Sequence, residues 1–302
     1  MFKDGIININ KPADWTSQDV CAKLRGRLHI KRIGHTGTLD PMATGVLPVC
    51  IGKATRIIEY YDMDSKTYVA TMLLGIRTDT LDITGEIVDK SPYSGITEDK
   101  IAETINCFVG EIEQIPPKYS AIKINGKRAY DLAREGQDFE IKSRKVSIHN
   151  IDVLEIDLDQ GLIKIEVTCS KGTYIRTLCD DIGEKLDCFA TMTELTRTKN
   201  GYFEIGNSIG IKELVELDDE EINKIILSPE DTLSNLGTIE LNKDIYIDFK
   251  NGKEISSRDY QILSDTKFNN IYKVVADGEF VGTARLEQNS IKPEKVIIIG
   301  DN

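Results

Sequence analysis

The alternation of apolar and polar positions predicts clear elements in the first two hundred residues. Residues 17–29 have apolar side chains at helical spacing, and residues 66–76 alternate as a strand does. Residues 162–186 predict a strand, a turn at SKG and a helix. Arg176 lies one position off the apolar stripe of that helix. We therefore expect its side chain to face a groove or water, where a pair with Asp180 is the simplest alternative role.

The last hundred residues have a different pattern. Residues 211–227 read as one acidic amphipathic helix, followed by a link that begins near Pro229. Short strands are then predicted at residues 244–249 and within residues 272–286. Inside the second of these segments, Asp277-Gly278 is a strong signal for a two-residue hairpin turn.

Length and composition are those of a globular protein with two domains. The chain has 302 residues, of which 40% are hydrophobic and 29% charged. Because helix-like and strand-like segments are intermixed without a repeat, we expect an α+β catalytic domain at residues 1–234 and a small β-rich domain at residues 235–302. No apolar run approaches membrane-spanning length and no leader is recognisable, so a cytoplasmic protein without a membrane contact is expected.

Cysteines and histidines form no metal or disulfide pattern. The six cysteines include no C-x-x-C, and the three histidines include no H-x-x-x-H. We therefore expect reduced, structural thiols, no metal and no disulfide. Glycine-rich phosphate loops and the G-x-S-x-G motif are missing as well, so no cofactor is expected.

Charge is distributed unevenly along the chain. The net charge is −12, but residues 203–302 carry 20 acidic and 11 basic side chains and so hold most of the excess. Residues 1–56 carry nine basic and four acidic side chains, and a second basic cluster lies within residues 118–145. Because charges act over about 8 Å at physiological salt, both segments could face a phosphate backbone despite the acidic total. The alternative for either segment alone is a solvated charged surface.

The segment GHTGTLDPMATGVLP, residues 34–48, places three glycines and two prolines around one acid, Asp40. Glycine permits backbone angles that other residues resist and proline fixes φ, so the composition predicts a loop of defined path. Asp followed by Pro is also an ordinary start of a helix, which is the simplest role for Asp40 when it is considered alone.

Five extended blocks lie in a fixed order along residues 1–202. They are INKPADWTSQDV (9–20), RIGHTGTLDPMATGVLPVCIGKATR (32–56), KTYVATMLLGIRTDTLDITG (66–85), IPPKYSAIKINGKRAYDLAREG (115–136) and CSKGTYIRTLCDDIGEKL (169–186). Together they resemble the TruB family of tRNA pseudouridine synthases. The resemblance implies a pseudouridine synthase fold, with a mixed and mainly antiparallel sheet flanked by helices and a PUA-like C-terminal domain.

The chemistry implied by the resemblance is the isomerisation of uridine to pseudouridine. The N1–C1′ bond breaks, the uracil turns in place, and C5 joins C1′, so that no atom is gained or lost. Such a reaction needs no cofactor, but it needs a carboxylate and a closed pocket that retains the free base.

The resemblance also implies three catalytic residues. Asp40 matches the catalytic aspartate, and Arg176 matches the arginine that pairs with it and keeps it ionised. Tyr68 matches the tyrosine that stacks on the target base and is placed to remove the proton at C5. Without the resemblance, Tyr68 would be interpreted as a half-buried aromatic on a strand.

Further substrate-binding residues are implied around these three. His35 matches a histidine that helps displace or replace the extruded base, and Leu195 matches an apolar residue of the pocket wall, although a core position explains Leu195 nearly as well. Lys11, Gly37 and Tyr174 correspond to positions near the pocket.

The block at residues 115–136 belongs, by resemblance, to an insertion of about residues 115–147 that closes over the T-arm of tRNA. Reaching the glycosidic bond requires extrusion of the nucleotide, which stacking and phosphate contacts must offset. The expected RNA contacts are Lys123, Lys127, Arg128 and Arg134.

The implied function is formation of pseudouridine at position 55 of the tRNA T-loop by a monomer that uses no guide RNA. A guide-directed pseudouridine synthase shares the same catalytic residues, but the compact tail and the IPPKYSAIK block favour the stand-alone enzyme. An RNA-binding helper of tRNA folding is the second alternative. A hydrolase with paired carboxylates is the third, but the sequence does not locate the second acid that it needs.

Overall fold

The computed structural model describes residues 2–61, 65–124, 126–266 and 268–297. The chain divides into two compact units, of which the first contains Met1–Met63 and Asn200–Asn302 and the second contains Asp64–Lys199. The first unit is therefore built from both ends of the chain. The predicted boundary between residues 234 and 235 remains a prediction. In the described ranges, no helix is long and apolar enough to cross a membrane.

The first unit begins with a three-stranded arrangement and one long helix. Strands β1 and β2 both pair antiparallel with β3. The predicted helix is confirmed as α1, where Thr16 caps the first turn and Asp19 bonds back to it in a capping box. The elements are β1 (Gly5–Lys11), α1 (Ser17–Leu28), β2 (Ile33–His35), β3 (Thr44–Ile51), a 3-10 turn (Gly52–Ile57) and α2 (Ile58–Tyr61).

The second unit is organised around one sheet. Its elements are β4 (Lys66–Leu74), β5 (Ile76–Thr78), β6 (Ile87–Lys90), α3 (Glu98–Asn106), β7 (Gly110–Gln114), β8 (Lys123–Ile124), β9 (Lys127–Arg128), α4 (Ala129–Arg134), β10 (Arg144–Asp157), β11 (Leu162–Cys169), α5 (Ile175–Lys185) and β12 (Ala190–Asn200). The strand order is β12-β4-β11-β10-β7, with antiparallel pairing from β4 through β7.

The predicted strand and the strand-turn-helix segment of this unit are confirmed. Strand β4 ends at Leu74 because Gly75 adopts a φ of 92°, which only glycine adopts without strain. Its buried positions alternate, as the sequence predicts for a strand with one face in the core. The apolar stripe of α5 is buried as well.

The chain then returns to the first unit. The elements are β13 (Phe203–Glu204), a 3-10 turn (Ile205–Asn207), β14 (Ile209–Gly210), α6 (Ile211–Glu216), α7 (Asp219–Ile225), α8 (Pro229–Thr232), β15 (Gly237–Leu241), a 3-10 turn (Lys243–Ile245), α9 (Tyr246–Lys250), β16 (Ile255–Ser256), a 3-10 turn (Ser257–Asp259), β17 (Tyr260–Ile262), β18 (Ile271–Ala276), β19 (Glu279–Leu286) and β20 (Ser290–Val296). Strand β14 pairs parallel with β1, and a six-stranded sheet has the order β16-β20-β19-β18-β15-β17.

Two predictions in this part of the chain are wrong. Residues 211–227 form two helices rather than one, because Asp218 caps α7 and forms a capping box with Glu221, which starts a new helix. Residues 244–249 were expected as a strand but end in helix α9. Phe249 is the buried side chain of α9, and the turn at Gly252, with a φ of 76°, closes the helix.

The predicted hairpin at residues 272–286 is confirmed. Strands β18 and β19 pair antiparallel, and the turn between them uses Asp277 with a φ of 51° and Gly278 with a φ of 76°. Two successive positive φ values characterise the turn type that matches the twist of a two-residue hairpin.

The six-stranded sheet contributes to two apolar cores. One face packs with helix α9 around Phe249, Val274 and Ile291. Other side chains of the same region, including Phe280 and Ile297, belong to a cluster that also contains residues of β1, β3 and α2. Within the first unit, the C-terminal sheet and the N-terminal strands therefore share a core.

Candidate active site

Asp40 lies half-buried in the loop between β2 and β3. The loop is tied to α1 through Ser17, whose Oγ accepts from the Leu39 amide at 2.9 Å and donates to the Leu39 carbonyl at 3.3 Å. The Ala43 amide donates to the Asp40 carbonyl at 3.1 Å, which closes a turn that leads into β3. Since a turn and a strand follow Asp40, the simple interpretation of this residue as a helix cap is wrong.

Lys11 holds the same loop from the end of β1. Its side chain is fully buried, with 0% exposure, and its Nζ donates to the carbonyl oxygens of Pro12 at 2.8 Å, Trp15 at 2.6 Å and Pro41 at 3.0 Å. A buried ammonium needs such partners to offset the loss of hydration. Three carbonyls from two segments thus fix the backbone directly after Asp40.

His35 and Gly37 lie at the entrance to this loop. The side-chain amide of Gln18 lies with its Nε2 3.3 Å from the Nε2 of His35, and because this amide nitrogen can only donate, the histidine nitrogen accepts the hydrogen bond. Both residues line an open cleft of about 540 Å³ in the first unit, together with Thr38, Arg56 and Lys295. The cleft places polar and cationic groups beside the loop of Asp40.

Arg176 lies in the first turn of α5 in the second unit, and its environment differs from the expectation. The side chain is only 4% exposed, so of the two predicted positions, a groove or water, exposure to water is wrong. Its guanidinium donates to the carbonyl oxygens of Thr80 at 3.1 Å and Tyr119 at 3.0 Å, and to Asp82. These polar partners explain why an arginine next to the apolar stripe can be buried.

The expected pair between Arg176 and Asp180 is replaced by another pair. Asp180 accepts from Arg77, whose Nε is 2.6 Å and whose Nη2 is 2.9 Å from the two carboxylate oxygens. This is a two-point contact of the kind that guanidinium favours. Asp180 therefore serves to hold β5 against α5.

Asp82 is a residue that sequence reasoning missed. It is 5% exposed, and its Oδ2 is 3.3 Å from the Arg176 Nη1. The other oxygen accepts from the Thr80 hydroxyl at 2.9 Å and from the Thr84 amide at 3.0 Å. The signal in the sequence is the TDTLDIT run, because Thr and Asp two residues apart form local side-chain turns.

Tyr68 and Leu195 are both nearly buried, with 8% exposure each. Tyr68 lies on β4 opposite Val167 of β11, and Leu195 lies on β12. This small exposure is consistent with a position in a pocket wall and equally with a position at the edge of the core.

Tyr174 immediately precedes α5 and is held on two sides. Its amide donates to the Gln114 Oε1 at 3.0 Å, and the Gln114 Nε2 donates back to the Tyr174 carbonyl at 3.2 Å. The Arg144 guanidinium carbon lies 4.7 Å from the centroid of the Tyr174 ring, within the range of a cation–π contact.

The four basic residues expected to contact RNA are exposed, on the β8-β9 hairpin and α4. Arg128 donates to the Tyr130 hydroxyl at 2.7 Å, and the guanidinium carbons of Arg128 and Arg134 each lie 5.7 Å from the Tyr130 ring centroid. Lys127 pairs with Glu135 at 3.5 Å. Exposed pairs of this kind are weak, so these cations remain able to exchange partners for phosphate. The fourth residue is Lys123.

Two arginines of the first basic segment have structural roles instead. Arg25 donates to the Ile33 carbonyl at 2.7 Å, and Arg27 donates to Asp219 at 2.9 Å. These contacts hold α1 against β2 and α7. Arg25 and Arg27 are therefore engaged within the protein, so fewer of the nine basic residues at positions 1–56 are available to attract phosphate than the sequence suggests.

Among the described residues, no group of three His, Cys, Asp or Glu side chains could hold a metal ion. The six cysteines are free thiols, and only Cys107 is exposed. Burial raises the pKa of Cys21 to about 11 and that of Cys179 to about 12, which keeps both protonated and unreactive at neutral pH.

Two family models match consecutive parts of this chain. Residues 25–175 match the description "TruB family pseudouridylate synthase (N terminal domain)". Residues 176–234 match "tRNA pseudouridylate synthase B C-terminal domain". The catalytic aspartate and tyrosine suggested by the sequence fall in the first match and Arg176 begins the second.

Curated relatives are similar over nearly the whole chain. The tRNA pseudouridine synthase B of Clostridium tetani is 43% identical and covers 98% of this chain and 100% of its own length. The protein of the same name from Clostridium perfringens is 44% identical over 98% of this chain, and that from Clostridioides difficile is 39% identical over 97%.

Solved structures confirm the fold. A chain in the "Crystal Structure of a Cbf5-Nop10-Gar1 Complex" superposes with a TM-score of 0.77 and 28% identity, over 97% of this chain and 84% of that chain. A chain in the "Crystal structure of the archaeal box H/ACA sRNP Nop10-Cbf5 complex" gives a TM-score of 0.74 and 25% identity, over 97% and 85%.

The mixed sheets flanked by helices, the C-terminal PUA-like sheet and these similarities define a pseudouridine synthase, an isomerase that acts on uridine in RNA. More narrowly, the chain belongs to the TruB family of pseudouridylate synthases. The fold class predicted from the sequence is thereby confirmed.

Proposed function

We propose that this chain converts uridine 55 in the T-loop of tRNA to pseudouridine, acting in the cytoplasm as a monomer without a guide RNA. The observation that carries the proposal is the 43% identity to a tRNA pseudouridine synthase B over 98% of this chain and all of the relative. Pseudouridine formation in tRNA is the activity of the family, and the T-loop position is our assignment.

In the proposed mechanism, the Asp40 carboxylate acts as the nucleophile or electrostatic stabiliser while the N1–C1′ bond breaks. Arg176 keeps this carboxylate ionised, since a nearby positive charge lowers the pKa of an acid. Hydrogen bonds from the Arg176 guanidinium to Thr80, Asp82 and Tyr119 support this role, because a fixed cation stabilises charge without reorganising. Tyr68 stacks on the base and accepts the C5 proton after C5 joins C1′.

The proposed route to the base requires extrusion of the nucleotide from the T-arm. Lys123, Lys127, Arg128 and Arg134 would contact the phosphate backbone from the insertion, where all four are exposed. His35 would help displace or replace the extruded base. Leu195 and Tyr174 would line the pocket, while Lys11 and Gly37 would shape the loop of Asp40.

A guide-directed synthase is the second candidate, because the chain superposes with a TM-score of 0.77 on a chain from a Cbf5-Nop10-Gar1 complex. The two candidates differ in what the purified protein needs. A stand-alone enzyme modifies an unmodified tRNA transcript alone, whereas a guide-directed enzyme does so only with an added guide RNA and partner proteins.

The test of the proposed function uses Asp40→Asn, which removes the charge and keeps the shape. Incubation with a tRNA transcript, followed by mapping of the isomerised uridine, is expected to give product at position 55 with the unaltered chain. Asp40→Asn is expected to lower the rate by at least about 10³-fold, the scale of losing a reacting group, while tRNA still binds.

The matched control is Asp159→Asn, which makes the same change in an exposed turn between β10 and β11. It is expected to have full activity. Continued turnover by Asp40→Asn would end the assignment of this residue, and tRNA refolding without any product from the unaltered chain would favour the folding helper.

A further inference from the structure

Arg144 is half-buried, whereas the four cations expected to contact RNA, namely Lys123, Lys127, Arg128 and Arg134, are exposed. It begins strand β10 and reaches the loop at residues 170–174, which leads into α5. We propose that Arg144 is a positioning residue for the isomerisation, which fixes this loop and through it Arg176. The inference rests on the proposed function.

Two contacts hold the Arg144 guanidinium. It lies over the Tyr174 ring, 4.7 Å from the centroid, and its Nη2 donates to the Gly172 carbonyl. A planar guanidinium can lie over a ring and still donate from its edge, whereas an ammonium is a compact, strongly hydrated point charge. These contacts therefore favour arginine over lysine.

Gly172 provides the space for this arrangement. Its φ of 84° lies in the left-handed region, and a Cβ at this position would lie 3.4 Å from the guanidinium carbon of Arg144. A larger residue would strain the backbone, and its Cβ would lie in van der Waals contact with the guanidinium. Arg144 and the loop thus pack directly against each other at Gly172.

Hydrogen bonds also hold the loop at residues 170–174 at both of its ends. The Ser147 amide donates to the Ser170 Oγ at 2.9 Å, and the Ser170 amide donates to the Ser147 carbonyl at 2.8 Å. At the far end, Gln114 exchanges two hydrogen bonds with the backbone of Tyr174. Arg144 contacts the middle of the loop, between these two ends, through its hydrogen bond to the Gly172 carbonyl.

Arg176 follows Tyr174 by two residues, and its partners come from other segments, namely residues 80, 82 and 119. The first turn of α5 must therefore lie in one place for the guanidinium to reach all of them. A displacement of about 1 Å at such a group can cost about 10²-fold in rate. Loosening the loop should thus act on the chemical step through Arg176.

The competing role for Arg144 is a direct contact with tRNA phosphate. Lys145 offers a control for this, because it is the next residue on the same strand and is exposed. Its Nζ pairs with Glu111 at 2.7 Å. Because successive side chains of a strand point to opposite faces of the sheet, Lys145 lies on the face opposite to that of Arg144. Removing either side chain removes one positive charge from the same segment.

The experiment compares Arg144→Lys, Arg144→Met and Lys145→Met in single-turnover reactions with a tRNA transcript at fixed salt, with tRNA affinity measured separately. Arg144→Lys and Arg144→Met are expected to lower the rate of the chemical step about tenfold or more, with the tRNA Kd unchanged within about twofold. Lys145→Met is expected to leave the rate unchanged. Arg144→Lys decides between the two roles, because it keeps the charge and loses the planar contacts.

A double-mutant cycle adds a second measurement. If Arg144 acts through the Tyr174 ring, Arg144→Lys is expected to lower the rate of the chemical step less in a Tyr174→Leu background than in the unaltered chain. Thermal unfolding shows whether each variant is folded, and Arg144→Lys remains informative should Arg144→Met not fold.

A full-rate Arg144→Lys enzyme, or a loss confined to tRNA affinity, would overturn the inference while the proposed function stands. An additive cycle would overturn it as well. Lack of product from the unaltered chain would reject the proposed function, and this inference with it.

Discussion

At the scale of single residues, the most informative feature is the burial of Arg176 together with Asp82. A buried guanidinium is tolerated only when its donors are satisfied, and here two carbonyls and one carboxylate meet it. Asp82 is itself held by the hydroxyl of Thr80 and the amide of Thr84, so its own position is fixed. The pair is therefore a buried ion pair with a fixed geometry.

We predict that Asp82→Asn lowers both stability and activity. Removing the charge leaves the buried Arg176 guanidinium partly uncompensated, at a cost of about 3 kcal/mol in the free energy of unfolding measured by urea titration. The proposed reaction should slow as Arg176 loses its fixed orientation. Asp89→Asn, at an exposed position on β6, is the control and should change neither quantity. Equal activity of Asp82→Asn and the unaltered chain would show that Arg176 does not depend on Asp82.

At the scale of elements, helix α5 is the central piece of the second unit. It carries Arg176 at its start, and Asp180 one turn later pairs with Arg77 of β5. Further along, Gly183 lets the helix approach the start of β12, since a Cβ there would lie 2.2 Å from the Ala190 amide nitrogen. The absence of a side chain at this position therefore sets how closely α5 and β12 pack.

We predict opposite effects for two glycine-to-alanine changes in helices. Gly183→Ala should lower the free energy of unfolding by about 1–3 kcal/mol, because backbone atoms of β12 must shift to accept the methyl group. Gly26→Ala in α1, where a Cβ meets nothing within 4 Å, should raise it by about 0.5–1 kcal/mol through the higher helix propensity of alanine. Thermal or urea unfolding measures both. A stabilising Gly183→Ala would contradict the close packing of α5 on β12.

At the scale of the whole molecule, both ends of the chain form one unit with a shared core. Phe280 and Ile297 from the C-terminal sheet belong to the same apolar cluster as Ile6 and Val46 from the N-terminal strands. The Tyr60 hydroxyl, also in this cluster, lies 3.0 Å from the Thr283 hydroxyl. The C-terminal sheet thus has a structural role in the first unit. The acidic side chains of this region do not prevent its apolar residues from packing in the shared core.

We predict that Phe280→Ala destabilises the N-terminal strands along with the C-terminal sheet. Loss of the buried ring should cost about 3–5 kcal/mol, and hydrogen exchange at the amides of Ile6 and Val46 should accelerate together with that of β18 and β19. Leu263→Ala removes an apolar side chain that is largely exposed and serves as the control. Unchanged protection of Ile6 and Val46 would show that the two parts of the first unit unfold independently.

Local periodicity and motif order were enough to predict several elements and the family. Helix α1, strand β4, the segment from β11 to α5 and the hairpin of β18 and β19 carry strong, uninterrupted patterns, and each is confirmed. Five blocks in a family's order also identified a pseudouridine synthase, since the chemistry depends on specific residue types. The assignment of Asp40, Tyr68 and Arg176 to catalysis remains a prediction.

Where the patterns are weak or the partners distant, tertiary structure decided the outcome. The break at Asp218 and helix α9 depended on capping and on the burial of Phe249, which apolar spacing does not encode. The burial of Arg176 required Asp82 and the Tyr119 carbonyl, about 94 and 57 residues away. The sequence by itself determined local elements and the kind of chemistry, because both depend on neighbouring residue types. Only the folded chain decided which charges are buried and which loops are held, because those depend on contacts between residues far apart in the sequence.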